Sequence, residues 1–460
     1  MPPKGFMTMK IPISMRGNNL KRSVGFVLFV GGLGGLLCGI DFGIIAVSLP
    51  YIRSLGLYTD LQLGSIVGGV MLGGIVASAL GGVYCDRVGR RTAITTAAGF
   101  FLVSIPVICF SGTSFPVIMA GRLLQGMSCG LMSIAMPMYL AEILPPDRRG
   151  KGTAIFQLFL GIGLVLAATA GVVLAKTFGA ADAPAEVVPD GAKSLAWRVN
   201  FWWTLAPVAL LFASSLLVGE SPVWLQRGTI GRKSENARSE GSLLRRRYVI
   251  PFLLALAVLT LNKLIGFGCV VPYAVVLFQK AGLTGAYGNG GDLALKAVNL
   301  SVTLLVVGLV DRKGRTWLMR IGTAGVAVSL AAIGLLFLLM EKGWMAPSPL
   351  TGSVTLAAFL SLMFFYAFGP GVCVWLVLSE LMPSRIRANG MAIALFANQF
   401  VAWGLASAFL PMTNVCGFGP VFLVFALMGV LYFITVLFIP ETKGRALEEL
   451  ETLFERKEWK

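Results

Sequence analysis

The chain has 460 residues, of which 56% are hydrophobic and only 13% charged, against roughly 25% charged in a soluble domain. No water-soluble protein could cover that much apolar side chain, so a lipid bilayer is the expected solvent. The net charge of +17 raises nucleic acid as a partner, and its distribution along the chain excludes it.

Apolar runs of the length a bilayer crossing needs, about 20 residues, fall at 24–50, 62–84, 92–111, 114–140, 152–175, 199–218, 248–279, 293–310, 317–340, 351–379, 389–412 and 418–439. No stretch alternates with the period of a membrane β-strand. Lys and Arg crowd into the N-terminus, the even-numbered loops and the C-terminus, and Arg122 and Lys263 stand deep within spans. This positive-inside pattern puts both termini in the cytoplasm of a cell inner membrane and explains the excess charge. The first apolar run is too long for a secretory signal and lacks a clear cleavage site, so it reads as a retained span. The expected fold is all-α, twelve helices in two six-helix halves. The halves are 1–219 and 248–440, joined by a polar cytoplasmic linker at 220–247 and followed by a cytoplasmic tail at 441–460.

Asp41 sits in the middle of the first span, within Cys38-Gly39-Ile40-Asp41-Phe42-Gly43-Ile44. A carboxylate inside a bilayer costs a few kcal/mol or more, and such residues are usually functional; the plain alternative is a structural acid paired with a neighbouring helix. Asp86-Arg87-Val88-Gly89-Arg90-Arg91 follows the second span, with Gly89 giving a tight turn. Glu142-Ile143-Leu144-Pro145 and Arg149 follow the fourth, and Glu220-Ser221 the sixth. All three recur in the second half, as Asp311-Arg312-Lys313-Gly314-Arg315, as Glu380-Leu381-Met382-Pro383 with Arg387, and as Glu441-Thr442. Such internal echoes mark a duplicated unit, and parallel repeats place a substrate site near the midplane between the halves. Carboxylates and guanidiniums at these helix ends can bridge and lock the cytoplasmic side. Any one cluster is also explained as ordinary anchoring; their matched occurrence favours gating.

The seven cysteines, Cys38, Cys85, Cys109, Cys129, Cys269, Cys373 and Cys416, all lie in or at the ends of apolar spans and form neither a metal-type pair nor a disulfide framework. There is no histidine, which excludes histidine catalysis and histidine metal sites. No cofactor or metal is expected, and no nucleophile or phosphate-loop constellation suggests an enzyme.

The run Gly121-Arg122-Leu123-Leu124-Gln125-Gly126, followed by Pro137-Met138-Tyr139-Leu140-Ala141-Glu142 and Arg149-Gly150, resembles the signature of the sugar porter family of the major facilitator superfamily. Asp86 to Arg91 resembles the superfamily's loop motif, and Pro440-Glu441-Thr442-Lys443-Gly444 the sugar porters' C-terminal motif. Gly219-Glu220-Ser221-Pro222-Val223-Trp224-Leu225 resembles their motif after helix 6, with Gly219 for a usual Pro and Val223 for a usual Arg. The resemblance covers essentially the whole chain and implies the major facilitator fold, a small-molecule substrate and probes of position for its site. In the proton-coupled members an Asp at the place of Asp41 carries the proton, where facilitative members have a neutral residue. Arg122, early in helix 4, is its natural partner. A cation and an apolar surround act in opposite senses on a carboxyl's hold on its proton, so a conformational change that alters either can load or release it.

The resemblance also implies substrate contacts. Gln157 matches a sugar-contacting Gln in helix 5, and amides suit sugars because they offer both donors and an acceptor. Asn398 and Gln399 match contact positions in helix 11, and Trp375 a Trp in helix 10, while Pro370 replaces another. Helix 7 departs: sugar porters usually carry Gln-Gln, an Asn and a Tyr pair, and this chain has Asn262-Lys263, Gly268 and Pro272-Tyr273. Lys263 lies too far along helix 7 to reach the interface easily. It either lines the aqueous cavity, or pairs with Asp41, or holds an anionic substrate. The expected partners are a sugar or sugar acid, a proton and the bilayer, with the chain acting as a monomer. A proton symporter of a monosaccharide or polyol leads; carriage of a sugar acid or small organic anion, and uncoupled facilitation, are the alternatives. A transporter-like sensor is disfavoured by the short tail after Pro440.

Overall fold

A computed structural model of the chain describes residues 24–144, 149–229, 246–381 and 387–441. Helices α1 (Val24–Ser54), α2 (Asp60–Val88), α3 (Arg90–Cys109), α4 (Phe115–Ile143) and α5 (Arg149–Phe178) are single crossings. The sixth crossing is shared by α6 (Asp190–Trp202) and α7 (Leu205–Leu217), and the short α8 (Pro222–Thr229) follows. In the second half the seventh crossing divides at Gly266 into α9 (Arg246–Leu264) and α10 (Phe267–Lys280). After α11 (Ala286–Lys313) and α12 (Arg315–Glu341), the tenth divides at Pro370 into α13 (Pro349–Phe368) and α14 (Pro370–Leu381), because proline cannot continue the hydrogen-bond ladder. Helices α15 (Arg387–Cys416) and α16 (Phe418–Leu437) complete it. Among the described residues 12 helical stretches are long and apolar enough to cross a membrane.

Two crossings begin earlier than hydropathy suggests. The sixth starts at Asp190 rather than at 199, and the eighth at Ala286 rather than at 293. The second shift has a chemical consequence, because it brings Asp292 into the same membrane helix as Lys296.

Small residues let the helices approach closely, as expected where lipid offers no hydrophobic drive for helix association. A Cβ placed on Gly39 of α1 would stand 2.0 Å from the Leu160 carbonyl oxygen of α5, so only glycine fits there. The ends of the bundle that carry the Asp86–Arg91 and Asp311–Arg315 loops form one face, here the motif face. The opposite end is the far face.

The two halves meet from the far face to mid-depth. At the far face Asn414 of α15 donates to Asp60 of α2, and the Gly285 N–H donates to Asp182 at 3.0 Å. Deeper, Gly64 of α2 lies against the backbone of Ser407 in α15, and Gly161 of α5 against Leu300 of α11.

Candidate functional site

Asp41 and Arg122 are together in the interior of the first half. Asp41 on α1 has no exposed surface and Arg122 on α4 is 1% exposed. One guanidinium nitrogen, Nη1, donates to Asp41 Oδ1 at 3.4 Å and to Gln125 Oε1 at 2.6 Å, and Nε donates to the Ile66 carbonyl of α2 at 3.1 Å. The Cys129 thiol reaches Asp41 Oδ2 at 3.4 Å.

The lengths decide what this cluster can do. Arg122 makes its two shorter bonds to neutral acceptors and its longest to the carboxyl. A buried guanidinium left without acceptors is costly, but here protonation of Asp41 leaves Gln125 and Ile66 in place. The carboxyl can therefore gain or lose a proton without dismantling its surroundings. The sequence reading missed Gln125 and Cys129. Both lie on the face of α4 that carries Arg122, at i+3 and i+7, and that spacing was the available signal.

The expected substrate residues divide into two groups. Gln157 is exposed and lies one helical turn from Gly161, the position that touches Leu300 of the other half, so it sits on the face of α5 turned toward that half. Gln399 lies at the seam as well, since a Cβ on Gly74 of α2 would stand 2.9 Å from its Nε2. Trp375 is 45% exposed on α14. Lys263 is half-buried and makes no ion pair or hydrogen bond with the described residues. It does not pair with Asp41, whose cation is Arg122.

Three others are committed to bonds inside the second half. Asn262 is buried, and its Oδ1 accepts from Tyr366 at 3.4 Å. The Tyr273 hydroxyl donates to the Ala406 carbonyl at 2.8 Å, and Asn398 Nδ2 to the Leu259 carbonyl at 2.8 Å. These bonds lie in the packing between α9, α10, α13 and α15, of which α10 and α15 also pack against α1 and α2 of the first half, and Asn262 Nδ2 is buried without a partner among the described residues.

The loop motifs build a cross-braced end to each half. Arg90 pairs with Glu142 at 3.0 Å and with Asp86 at 2.9 Å, and also donates to the Cys85 carbonyl at 3.0 Å. Glu220 takes the first N–H groups of α3, those of Arg90 at 2.8 Å and Arg91 at 3.0 Å, which have no partner within the helix. Ser221 donates to Glu142, which closes the ring. In the second half Glu441 does the same for α12, accepting from Arg315 N at 3.0 Å and Thr316 N at 3.1 Å. Each cap needs a glycine: Gly89 has φ 96° and Gly314 φ 93°, and a Cβ on either would collide with the capping carboxylate, at 2.3 Å and 2.6 Å. These ties join helices within a half. Arg87 is exposed. The side chains of Arg149, Asp311, Glu380 and Arg387 lie outside the described residues.

A second buried ion pair was not anticipated. Asp292 and Lys296 of α11, 0% and 1% exposed, meet at 2.6 Å, and the Lys296 ammonium also reaches the Gly43 carbonyl of α1 at 3.4 Å.

Twelve spans in two repeated halves, a buried acid–guanidinium pair and duplicated caps define a membrane transporter of the major facilitator fold, not an enzyme. The family model described as "Sugar (and other) transporter" matches residues 27–241 and 230–454, and the chain belongs to that family. It is 28% identical to the arabinose-proton symporter of Bacillus subtilis, with 94% of this chain and 96% of that one covered. The crystal structure of a D-xylose-proton symporter matches with a TM-score of 0.78 at 25% identity, covering 92% of this chain and 99% of that one. The inward-open xylose transporter XylE from E. coli matches with a TM-score of 0.76 at 26% identity, covering 93% and 99%.

Proposed function

We propose that this chain is a proton-coupled symporter that carries a monosaccharide or related polyol by alternating access. The observation that carries the reading is Asp41, buried in α1 beside Arg122 in an arrangement that tolerates both protonation states of the carboxyl. The relatives that are named as proton symporters of arabinose and xylose support the same substrate class and the same coupling. The Lys and Arg asymmetry supports an orientation with the motif face and both termini in the cytoplasm of the inner membrane. The far face is then the outside, and the contacts at Asp60, Asp182 and Gly161 close the chain to the outside.

In the cycle, residues 1–219 and 248–440 rock as two bodies about the seam, joined by the linker at 220–247. Gln157 and Gln399, with Trp375, offer amide and aromatic contacts to a hydroxylated solute where the halves meet. Proton binding at Asp41 frees α1 from a fixed charge and lets the loaded halves exchange faces. The braced motif-side ends move as rigid units. Closure of the cytoplasmic side joins them through Glu142 and Arg149 on one half and Glu380 and Arg387 on the other. Wild-type protein in proteoliposomes with an imposed pH gradient tests the reading. It should accumulate a monosaccharide, and equilibration without accumulation would instead identify an uncoupled facilitator.

A second reading has its own observation. Lys263 has no anionic partner among the described residues, so its ammonium is available to a carboxylate on a sugar acid or small organic anion. The neutral sugar is preferred because Gln157 and Gln399 keep amides at the seam.

A further inference from the structure

The Asp292–Lys296 pair stands at an unusual place. It lies on α11, in the second half, yet one of its bonds crosses to the backbone of α1 in the first, at Gly43, two residues from Asp41. Both side chains are inaccessible, so the pair belongs to the closed seam itself. The lysine leans toward the start of its own helix, as helical side chains do, and meets the carboxylate four residues earlier.

Two features separate this pair from an ordinary structural tie. First, the ammonium is neutralised within its own helix, so parting the halves exposes no unpaired charge. Second, Asp292 uses only Oδ2; its Oδ1 is buried and no donor among the described residues reaches it. The proton of Lys296 that faces Gly43 therefore has a second acceptor on its own side of the seam. Leaving the Gly43 carbonyl exchanges one charge-assisted hydrogen bond for another and need not strand a donor, which would cost the full desolvation of the group.

We propose that Lys296, its charge balanced by Asp292, is a transport residue: a reversible latch whose ammonium closes the far face by binding the Gly43 carbonyl of α1 and turns onto Asp292 when the halves part. Because Gly43 shares α1 with Asp41, a movement of α1 that follows proton binding reaches the latch directly. The latch rests on the alternating-access reading above, but its test requires no substrate, so its failure is distinguishable from failure of the sugar–proton assignment.

The test is a distance measurement across the far face. Leu57 in the loop after α1 and Tyr287 at the start of α11 are exposed there on opposite halves, and carry spin labels in a background where the exposed Cys416 is replaced by Ser. Asp292→Asn/Lys296→Met removes the latch and leaves no unpaired charge, an exchange that buried ion pairs often tolerate. Its ratio of long to short distances should rise over wild type, but by less than the roughly tenfold or more of an uncompensated charge-assisted hydrogen bond, because Asp292 Oδ1 recovers part of the bond lost at Gly43. Asp292→Asn alone keeps the ammonium against Gly43 but removes its compensating charge and its second acceptor, and should be at least as closed as wild type. If the double variant does not fold, Lys296→Gln, one bond too short to span to Gly43, should show the same opening. A wild-type distribution in whichever latch-free variant folds overturns the proposal, and so does an Asp292→Asn distribution as open as that variant's.

Discussion

Replacing Asp41 by Asn tests the proposed coupling with the least disturbance of shape. The change keeps the side-chain volume and removes the titratable group. Breaking a buried ion pair by removing one partner typically costs about 3–5 kcal/mol, because the other charge is stranded. Here Arg122 keeps Gln125 at 2.6 Å and the Ile66 carbonyl at 3.1 Å, and the lost contact is its longest, at 3.4 Å. The expected loss is accordingly smaller, about 1–3 kcal/mol, and the variant should fold. Function should change far more. One proton carried per substrate makes an imposed gradient of one pH unit worth ~1.4 kcal/mol, or about tenfold accumulation. Wild type in proteoliposomes should approach that ratio for its sugar. Asp41→Asn should bring it to about one, while counterflow exchange of labelled for unlabelled sugar stays within several-fold of wild type. Accumulation by the variant at the wild-type ratio would refute the assignment of the proton to Asp41.

Arg90→Ala or Glu142→Gln should loosen the braced motif-side end of the first half and favour states open at that face by about 1–2 kcal/mol; spin-label distances across the motif face check this, and unchanged distributions in both variants would reject it. Lys263→Gln should leave hexose binding intact or improve it, whereas it should cost several kcal/mol for a uronate if the substrate is anionic; calorimetric titration with both ligands separates the cases. Gly39→Val should prevent assembly of α1 on α5, because its Cβ would stand 2.0 Å from a backbone oxygen that cannot move aside, and size-exclusion profiles in detergent should lose the folded peak.

The features legible in the sequence were those whose chemistry is local. The twelve spans follow from apolar run length, and the charge clusters beside Gly89 and Gly314, with Glu220 and Glu441 at matching places, stood out as echoes, although their role as helix caps did not. Asp41 and Arg122 were conspicuous because each is a lone charge in an apolar run. Asp292 and Lys296 were not, for the same physical reason that makes them stable. They neutralise one another one turn apart in a helix start rich in glycine, so averaged hydropathy places the membrane boundary just after Asp292, between the two, and hides the pair. In the second half the break at Gly266 resets the rotation of α10 relative to α9, so the face that Tyr273 presents cannot be carried across it by counting residues. The structure commits Asn262, Tyr273 and Asn398 to intramolecular bonds and leaves Gln157 and Gln399 at the seam.

The central claim is that sugar and proton cross together, and proton movement driven by sugar alone is its most direct measurement. Proteoliposomes are prepared without any imposed pH gradient, and monosaccharides are added outside one at a time while external pH is followed in weak buffer. Co-transport predicts that at least one sugar alkalinises the medium in wild type, in proportion to its uptake, and that the same sugar gives no pH change with Asp41→Asn. Uptake of that sugar by wild type with no accompanying pH change would contradict the account.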